Sequence, residues 1–586
     1  MFSSEVYASR KGATVNRYFQ EQLRMLHEGA REFARKYPAA APMLLEQGGD
    51  PDAERILEGT AYLCAKIHER LDQTAPELIQ TLLREVFPES VMPVPSMAVM
   101  RFALSPGFTE PILVKRGTQL ASRPVGGVSC LYCTMWDLRV LPLTVVSTES
   151  ETHSDMSGAV TVTLQSAAPL EKFLPDRLDF HLTGSYSMAS QRLLVLLTRL
   201  QSVTVSAGSS SVELPAGSLS ILRPSLEDLR LPEGQANNRG YISIIRYFCC
   251  PDHLTAFSLS GLKRLTLSDS ARELRLTFRF GAAVAPLPHF SDGSFAVNTV
   301  PASNVFQAHS EPIRVDYSRE EYRIYPHVKE RQNVDILGVT GVAAVHRGGR
   351  AERCRPYGFY NESGGGMIYN VRYTMPEEGS VPEHYFSILR RPNSNEGFDE
   401  CVVSMDLICC NRGLPDRLLQ GDICLPTDRS PSKVVFENVT APSEMLSPPT
   451  NESLQWRFLA QMNANLLPVA SAKALQQTLS LYAPRNSDAP ELAVACAKRC
   501  QAVRAFSSCD EERLFHGRVL RGRRLMLELE PSGFVSLGDL WLFADSLDQF
   551  LAEFAVINTY TRLVLTVSGT DERWEWVPRL GTKQLI

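Results

Sequence analysis

No apolar run in this sequence approaches the roughly 18 residues that a bilayer-spanning helix needs. The stretch "LLVLLT", residues 193–198, is about the longest. The opening residues "MFSSEVYASRKGATVNRYF" also lack the apolar core of a secretory leader. These absences predict a cytoplasmic chain with no direct membrane insertion. The 13 cysteines in 586 residues are sparse and odd in number, unlike the dense disulfide frameworks of short secreted domains, so reduced thiols are expected. A dominant charge is missing too. With 60 basic and 65 acidic residues the formal net charge is −5, which argues against a chain-wide surface for nucleic acid.

Catalytic and cofactor motifs are equally scarce. There is no HExxH to set two imidazoles on one helical face, no GxSxG elbow, no GxxxxGK[ST] cradle for phosphates and no GxGxxG after a strand. The pair Cys130 and Cys133 in "CLYC" has the spacing of half a zinc knuckle, but a structural site needs four ligands and no second CxxC exists. The pair therefore reads as two cysteines in a half-buried β-segment. Cys249–Cys250 and Cys409–Cys410 sit in apolar strand-like runs, as small core residues do. The basic run "HRGGRAERCR" has no aromatic platform interleaved and reads as a solvated loop. The expectation is no catalysis, no cofactor and no required metal.

What is present is organisation. Apolar residues in 16–38 fall at Phe19, Leu23, Leu26, Ala30, Phe33 and Tyr37, alternating gaps of four and three. That heptad rhythm places a narrow apolar seam on one side of a helix. A second helix opens on Asp50 and Pro51, suited to the cap and first-turn positions, and carries Ile56, Thr60, Leu63 and Ile67 as another narrow seam. A third, with Leu78, Ile79, Leu82, Leu83, Val86 and Phe87, ends at Pro88. From "MPVPSMAVMRF" the period changes to two. Runs such as "GAVTVTLQS", "RLDFHLTG" and "RELRLTFRFGA", separated by Gly, Pro, Ser and Asn turns, predict antiparallel sheet. "EPIRVDYSREEYRIYP" reads as two strands of one hairpin joined by a charged turn, with Ile313, Val315 and Tyr317 on its apolar face. Beyond a proline-rich stretch at 441–450 come a helical segment and then α+β: a strand in "GRRLMLELEPSGF", a helix in "DSLDQFLAEFAVINTY" with Leu547, Phe550, Leu551, Phe554 and Ile557 on one face, and a strand in "TRLVLTV".

The expected fold is α+β, with an N-terminal helical segment, a multi-lobed and mostly antiparallel β-rich body, and a C-terminal α+β domain. The expected boundaries are 1–92, 93–300, 301–440 and 441–586.

Several blocks recur in one order: "YFQEQLRMLHEGAREFARKYP", "DPDAERILEGTAYLCAKIHERLD", "PELIQTLLREVFPESVMPVPSMAVMRF", "TVPASNVFQAHSEPIRVDYSREEYRIYP", "ICCNRGLPDRLLQGD", "LWLFADSLDQFLAEFAVINTYTRLVL" and "WVPRLGTKQ". Together they resemble the TssF family of type VI secretion baseplate subunits, which is similar to wedge proteins of contractile phage tails. The Cys130/Cys133 pair matches no motif of that family. The resemblance implies a non-enzymatic role at the inner face of the cytoplasmic membrane. It also implies two copies associating with TssG through N-terminal helices, and a wedge that engages TssK and TssE, surrounds the VgrG spike and primes sheath growth. On that basis Phe19, Leu23, Leu26, Ala30, Phe33, Tyr37, Ile56, Leu63 and Ile67 are the candidate partner-binding residues, a bundle with the second and third helices of the same chain being the other cover for the seam. The alternative is a β-rich binding module of a phage-like contractile particle.

Overall fold

Helices open the described chain and strands take over at Met97, where the apolar period falls to two. The computed structural model describes residues 19–20, 22–33, 35–36, 52, 55–65, 82–83, 93–152, 157–223, 239–267, 270–281, 287–346, 349, 351–356, 367–374, 383–390, 400–446, 457, 471–484, 490–515 and 517–581. The chain divides into two units. One comprises Met1–Val86 with Asn451–Leu459, the other Phe87–Thr450 with Ala460–Ile586.

Within the larger unit, a six-stranded sheet runs in the order Ile423–Pro426, Gln119–Val125, Val128–Thr134, Thr299–Ser303, Met97–Leu104 and Val434–Asn438. Strands on both sides of the expected boundary at 300 thus enter one sheet. Its outer strands curl toward each other: Gly421 N–H donates to the Asn438 carbonyl (3.1 Å) and Ile423 N–H to Asn438 Oδ1 (2.8 Å). Alternate residues Ala98, Met100, Phe102, Cys130, Tyr132, Val300, Ala302, Val434 and Phe436 meet in one core. Cys130 is therefore a core side chain, and burial pushes its thiol up to about 11. Cys133, three residues on, is also buried.

Gly158–Ser166 and Glu273–Phe280, as expected, join a five-stranded antiparallel sheet, and Arg177–Leu182 joins a four-stranded one. Phe278 of the first meets Phe257 and Phe295 of the second at ring distances of 6.3 and 6.1 Å. An eight-stranded sheet holds Asp335–His346 and Cys401–Cys410 over a second apolar core. Vicinal Cys409 and Cys410 are fully buried.

The expected hairpin in "EPIRVDYSREEYRIYP" closes only at its open end, where Glu311 N–H donates to the Tyr325 carbonyl (2.8 Å) and Ser310 bridges Pro326 antiparallel; its two strands do not pair with each other. Ile313–Val315 pairs with residues 401–403, whereas Tyr322–Arg323 pairs with 385–386. The cause is local. Asp316 Oδ1 accepts from Ser318 N–H (3.1 Å), Ser318 Oγ (2.7 Å) and Tyr322 Oη (2.9 Å), and Tyr317 takes φ 57°. The turn sets the break between the two strands, and each then takes its partner from far along the chain. Arg314 and Arg323 bridge outward to Glu400 (2.8 Å) and Glu383 (3.0 Å). Reversing either charge is expected to change stability by less than about 1 kcal/mol, the range for exposed ion pairs. Chemical denaturation of the two single variants checks this.

Sequence periodicity also missed two helices. Tyr186–Thr198 and Arg239–Cys249 lie inside a β-rich stretch. The first buries polar Ser190 and Arg192 together with Ala189 and Leu193–Leu196, so no clean amphipathic stripe marks it. Both pack against Leu537–Ala552. Glycines permit the close crossings. A Cβ on Gly538 would lie 2.1 Å from the Ser190 carbonyl oxygen, and one on Gly240 2.8 Å from Phe550 Cα.

The helix expected in "DSLDQFLAEFAVINTY" starts earlier, at Leu537 with Ser536 as cap, and stops at Ala552. Leu547, Phe550 and Leu551 are buried, Phe554 is half-buried beyond the helix end, and Ile557 is exposed. Phe554 keeps an edge contact to Phe550, with ring centroids 5.2 Å apart. Phe550→Ala is expected to cost about 3–5 kcal/mol and Phe554→Ala clearly less, because cavity cost follows burial. Paired denaturation curves give the ranking, and equal losses would contradict it. This helix forms the crossover between Arg518–Leu529 and Thr559–Val567, which pair in parallel.

Candidate assembly surface

Among the described residues no group of three or more His, Cys, Asp or Glu side chains is placed to hold a metal ion, and no helix is long and apolar enough to cross a membrane. A concavity of about 400 Å3 on the eight-stranded sheet is lined by His309, Gly341, Arg353 and Asp406. His309 Nδ1 lies 2.9 Å from Asp406 Oδ1, and both side chains face water. The concavity sits where Asp335–His346 bulges between Val339 and Gly341.

The buried carboxylates serve packing. Asp539 is fully buried and ties four segments together. Its Oδ1 accepts from Tyr186 Oη (2.8 Å) and Tyr247 Oη (2.6 Å), and its Oδ2 accepts from Arg499 Nη2 (3.2 Å) and Val535 N–H (3.1 Å). Burial first, then the neighbouring Asp539 charge among the other causes, pushes the Tyr186 phenol far up. Asp545 accepts from Trp576 Nε1 (2.9 Å) and pairs with Arg223. Burial raises the Asp548 carboxyl to about 6, against the pull of its partner Arg579.

The N-terminal helices behave differently. Along the first, Phe19, Leu23 and Leu26 are half-buried, Ala30 is buried, and Phe33 is 51% exposed; Tyr37 lies outside the described residues. In the second, Ile56 is 70% and Leu63 63% exposed, with Thr60 exposed between them; Ile67 lies outside the described residues. The face this helix buries is another one. Ala61 and Ala65 are inaccessible and Leu57 and Cys64 half-covered. Positions 57, 61, 64 and 65 also carry helical spacing, but apart from Leu57 their side chains are small, so the apolar pattern of the sequence is dominated by Ile56 and Leu63. In the third segment Leu83 is buried and Leu82 half out. Met25 (56% exposed) and Tyr62 (46% exposed) add to the uncovered apolar surface. In the second helix Ile56 and Leu63 therefore face water while Ala61 and Ala65 are buried, which leaves large apolar side chains uncovered.

Comparison with known proteins places the chain. The sequence model for "Type VI secretion system, TssF" matches residues 12–583. The chain is 24% identical to the type VI secretion system component TssF1 of Pseudomonas aeruginosa, over 97% of this chain and 98% of that one. It has the fold of a chain in the type VI secretion TssK-TssF-TssG baseplate subcomplex solved by cryo-electron microscopy, with TM-score 0.76, 22% identity, and coverage of 90% of this chain and 99% of that one. A chain of the type VI secretion baseplate complex gives TM-score 0.62 at 20% identity, covering 97% and 100%. The family match runs from the seam-bearing helices to the last strands, and the chain belongs to the TssF family of the type VI secretion system.

Proposed function

We propose that this chain is a structural subunit of the type VI secretion baseplate, assembling with TssG and TssK in the cytoplasm, and that its N-terminal helical unit is the contact for TssG and a second copy of this chain. The observation that carries the reading is the exposure of Phe33, Ile56 and Leu63 on helices in which Ala30, Ala61 and Ala65 are buried. Water-exposed apolar side chains of this size, clustered at one end of the sequence, gain about 1.5–3 kcal/mol each when fully covered. The family supports the same reading, since solved baseplate assemblies contain chains of this fold. Contacts with TssE, the VgrG spike and the sheath belong to the same proposal, and so does the absence of catalysis.

Co-expression tests it. The chain alone is expected to self-associate irregularly, and co-expression with TssG and TssK to yield a discrete complex on size exclusion. A monodisperse chain that ignores both partners would instead favour a free-standing binding module.

A further inference from the structure

Among the described residues the strand Val503–Phe515 is the outer edge of the C-terminal five-stranded sheet and pairs with Arg518–Leu529 alone. At 13 residues it is about twice the usual 5–6. Its hairpin closes on the pair Phe515↔Arg518. A two-residue connection of this kind is flanked by a hydrogen-bonded pair, and such pairs alternate along an antiparallel ladder. Counting back from Phe515 as far as the register shift between Val503 and Ala505, odd-numbered residues bond inward to the Arg518–Leu529 strand. Ser508, Asp510, Glu512 and Leu514 then turn their backbone N–H and C=O outward. Gln476 Nε2 caps the first carbonyl, that of Val503, at 2.9 Å. Between 506 and 514 no further hydrogen bond reaches the rim among the described residues.

Two side-chain features say what this rim accepts. At the far end Leu514 and Val519 stand opposite each other, 74% and 64% exposed. They project beyond the neighbouring strand, whose pairing begins at Arg521↔Thr559. The centre of the rim carries Asp510 and Glu512, while Glu511 between them is largely covered and pairs with Arg524 and Arg562. Arg523 and Arg521 reach Asp510 (3.5 Å) and Glu512 (3.1 Å), yet those two carboxylates stay 92% and 61% exposed. Two copies paired antiparallel about this centre would set carboxylate against carboxylate, which destabilises cross-strand pairs. The charge run thus blocks self-pairing of a long open edge and favours a strand of opposite charge.

We infer that the free edge of Val503–Phe515 is a docking site for an extended segment of another protein, added as a further strand with basic residues opposite Asp510 and Glu512 and an apolar residue opposite Leu514. Main-chain hydrogen bonds supply the affinity and the alternate side chains the selectivity, as in strand addition generally.

The test uses the full chain by itself, so its outcome is separate from recovery of TssG and TssK. The probe is a synthetic peptide alternating lysine and valine, with a glutamate–valine peptide as control. Hydrogen–deuterium exchange is read at the amides of 508, 510, 512 and 514. The lysine–valine peptide is expected to slow these amides by roughly tenfold or more at saturation, and the control to leave them unchanged. Glu512→Pro removes one outward N–H without touching the inward ladder, so it should keep the hairpin's protected amides and abolish the peptide effect. Asp510→Lys with Glu512→Lys should reverse the preference between the two peptides. No protection by the basic peptide, equal protection by both, or protection that rises with the chain's own concentration would overturn the inference.

Discussion

Asp539→Ala is expected to cost about 3–5 kcal/mol, the loss that follows when one partner of a buried ion pair is removed. Arg499 has only 7% of its side chain in water and Asp539 none. Without the carboxylate, the guanidinium would remain buried and uncompensated, beside Tyr247, whose ring it overlies at 5.1 Å. Two tyrosine hydroxyls and the Val535 N–H lose their acceptor at the same time. Domains are stable by about 5–15 kcal/mol in all, so this single change should visibly lower the melting temperature. Asp539→Asn keeps the shape but not the charge, and should recover only part of the loss. Replacing Asp539 and Arg499 together with apolar residues should cost less than Asp539→Ala, because no lone charge is then left behind. Denaturation curves for the three variants decide. An Asp539→Ala chain as stable as the parent would mean that the network is ornamental.

The second large effect concerns assembly rather than folding. Leu63→Asp places a carboxylate on a side chain that is 63% exposed in the chain alone. The fold should therefore tolerate it, with circular dichroism and protease resistance unchanged. If the seam is covered by TssG or a second copy, the charge is desolvated only in the complex, at a cost of several kcal/mol. A loss of about 4 kcal/mol weakens association roughly a thousandfold, and TssG should no longer co-purify. Ala61→Asp, two positions away and fully buried, should instead unfold the helical unit itself. Leu26→Asp falls between the two, because Leu26 is half-buried. Normal recovery of TssG with the Leu63→Asp chain would remove this face from the assembly surface.

The sequence by itself determined the local periods and their order. Alternation in "GAVTVTLQS" fixes the strand Gly158–Ser166, and the change of period at Met97 marks where helices give way to sheet. Both follow from side-chain geometry along one segment, which needs no distant partner. The family wording was legible for the same reason, since blocks of residues in order are a property of the chain. Tertiary structure decided everything that depends on who packs against whom. Tyr186–Thr198 is a helix without a stripe because the fold buries it on several sides. The two short strands around Asp316 separate because their partners, residues 401–403 and 385–386, lie far along the chain. The seam in the second helix was legible as apolar, but its outward direction was not. Ala61 and Ala65 are the buried positions of this helix, while Ile56 and Leu63 stand in water. Hydrophobicity measures what a side chain gains when covered; only the folded arrangement says whether this chain covers it.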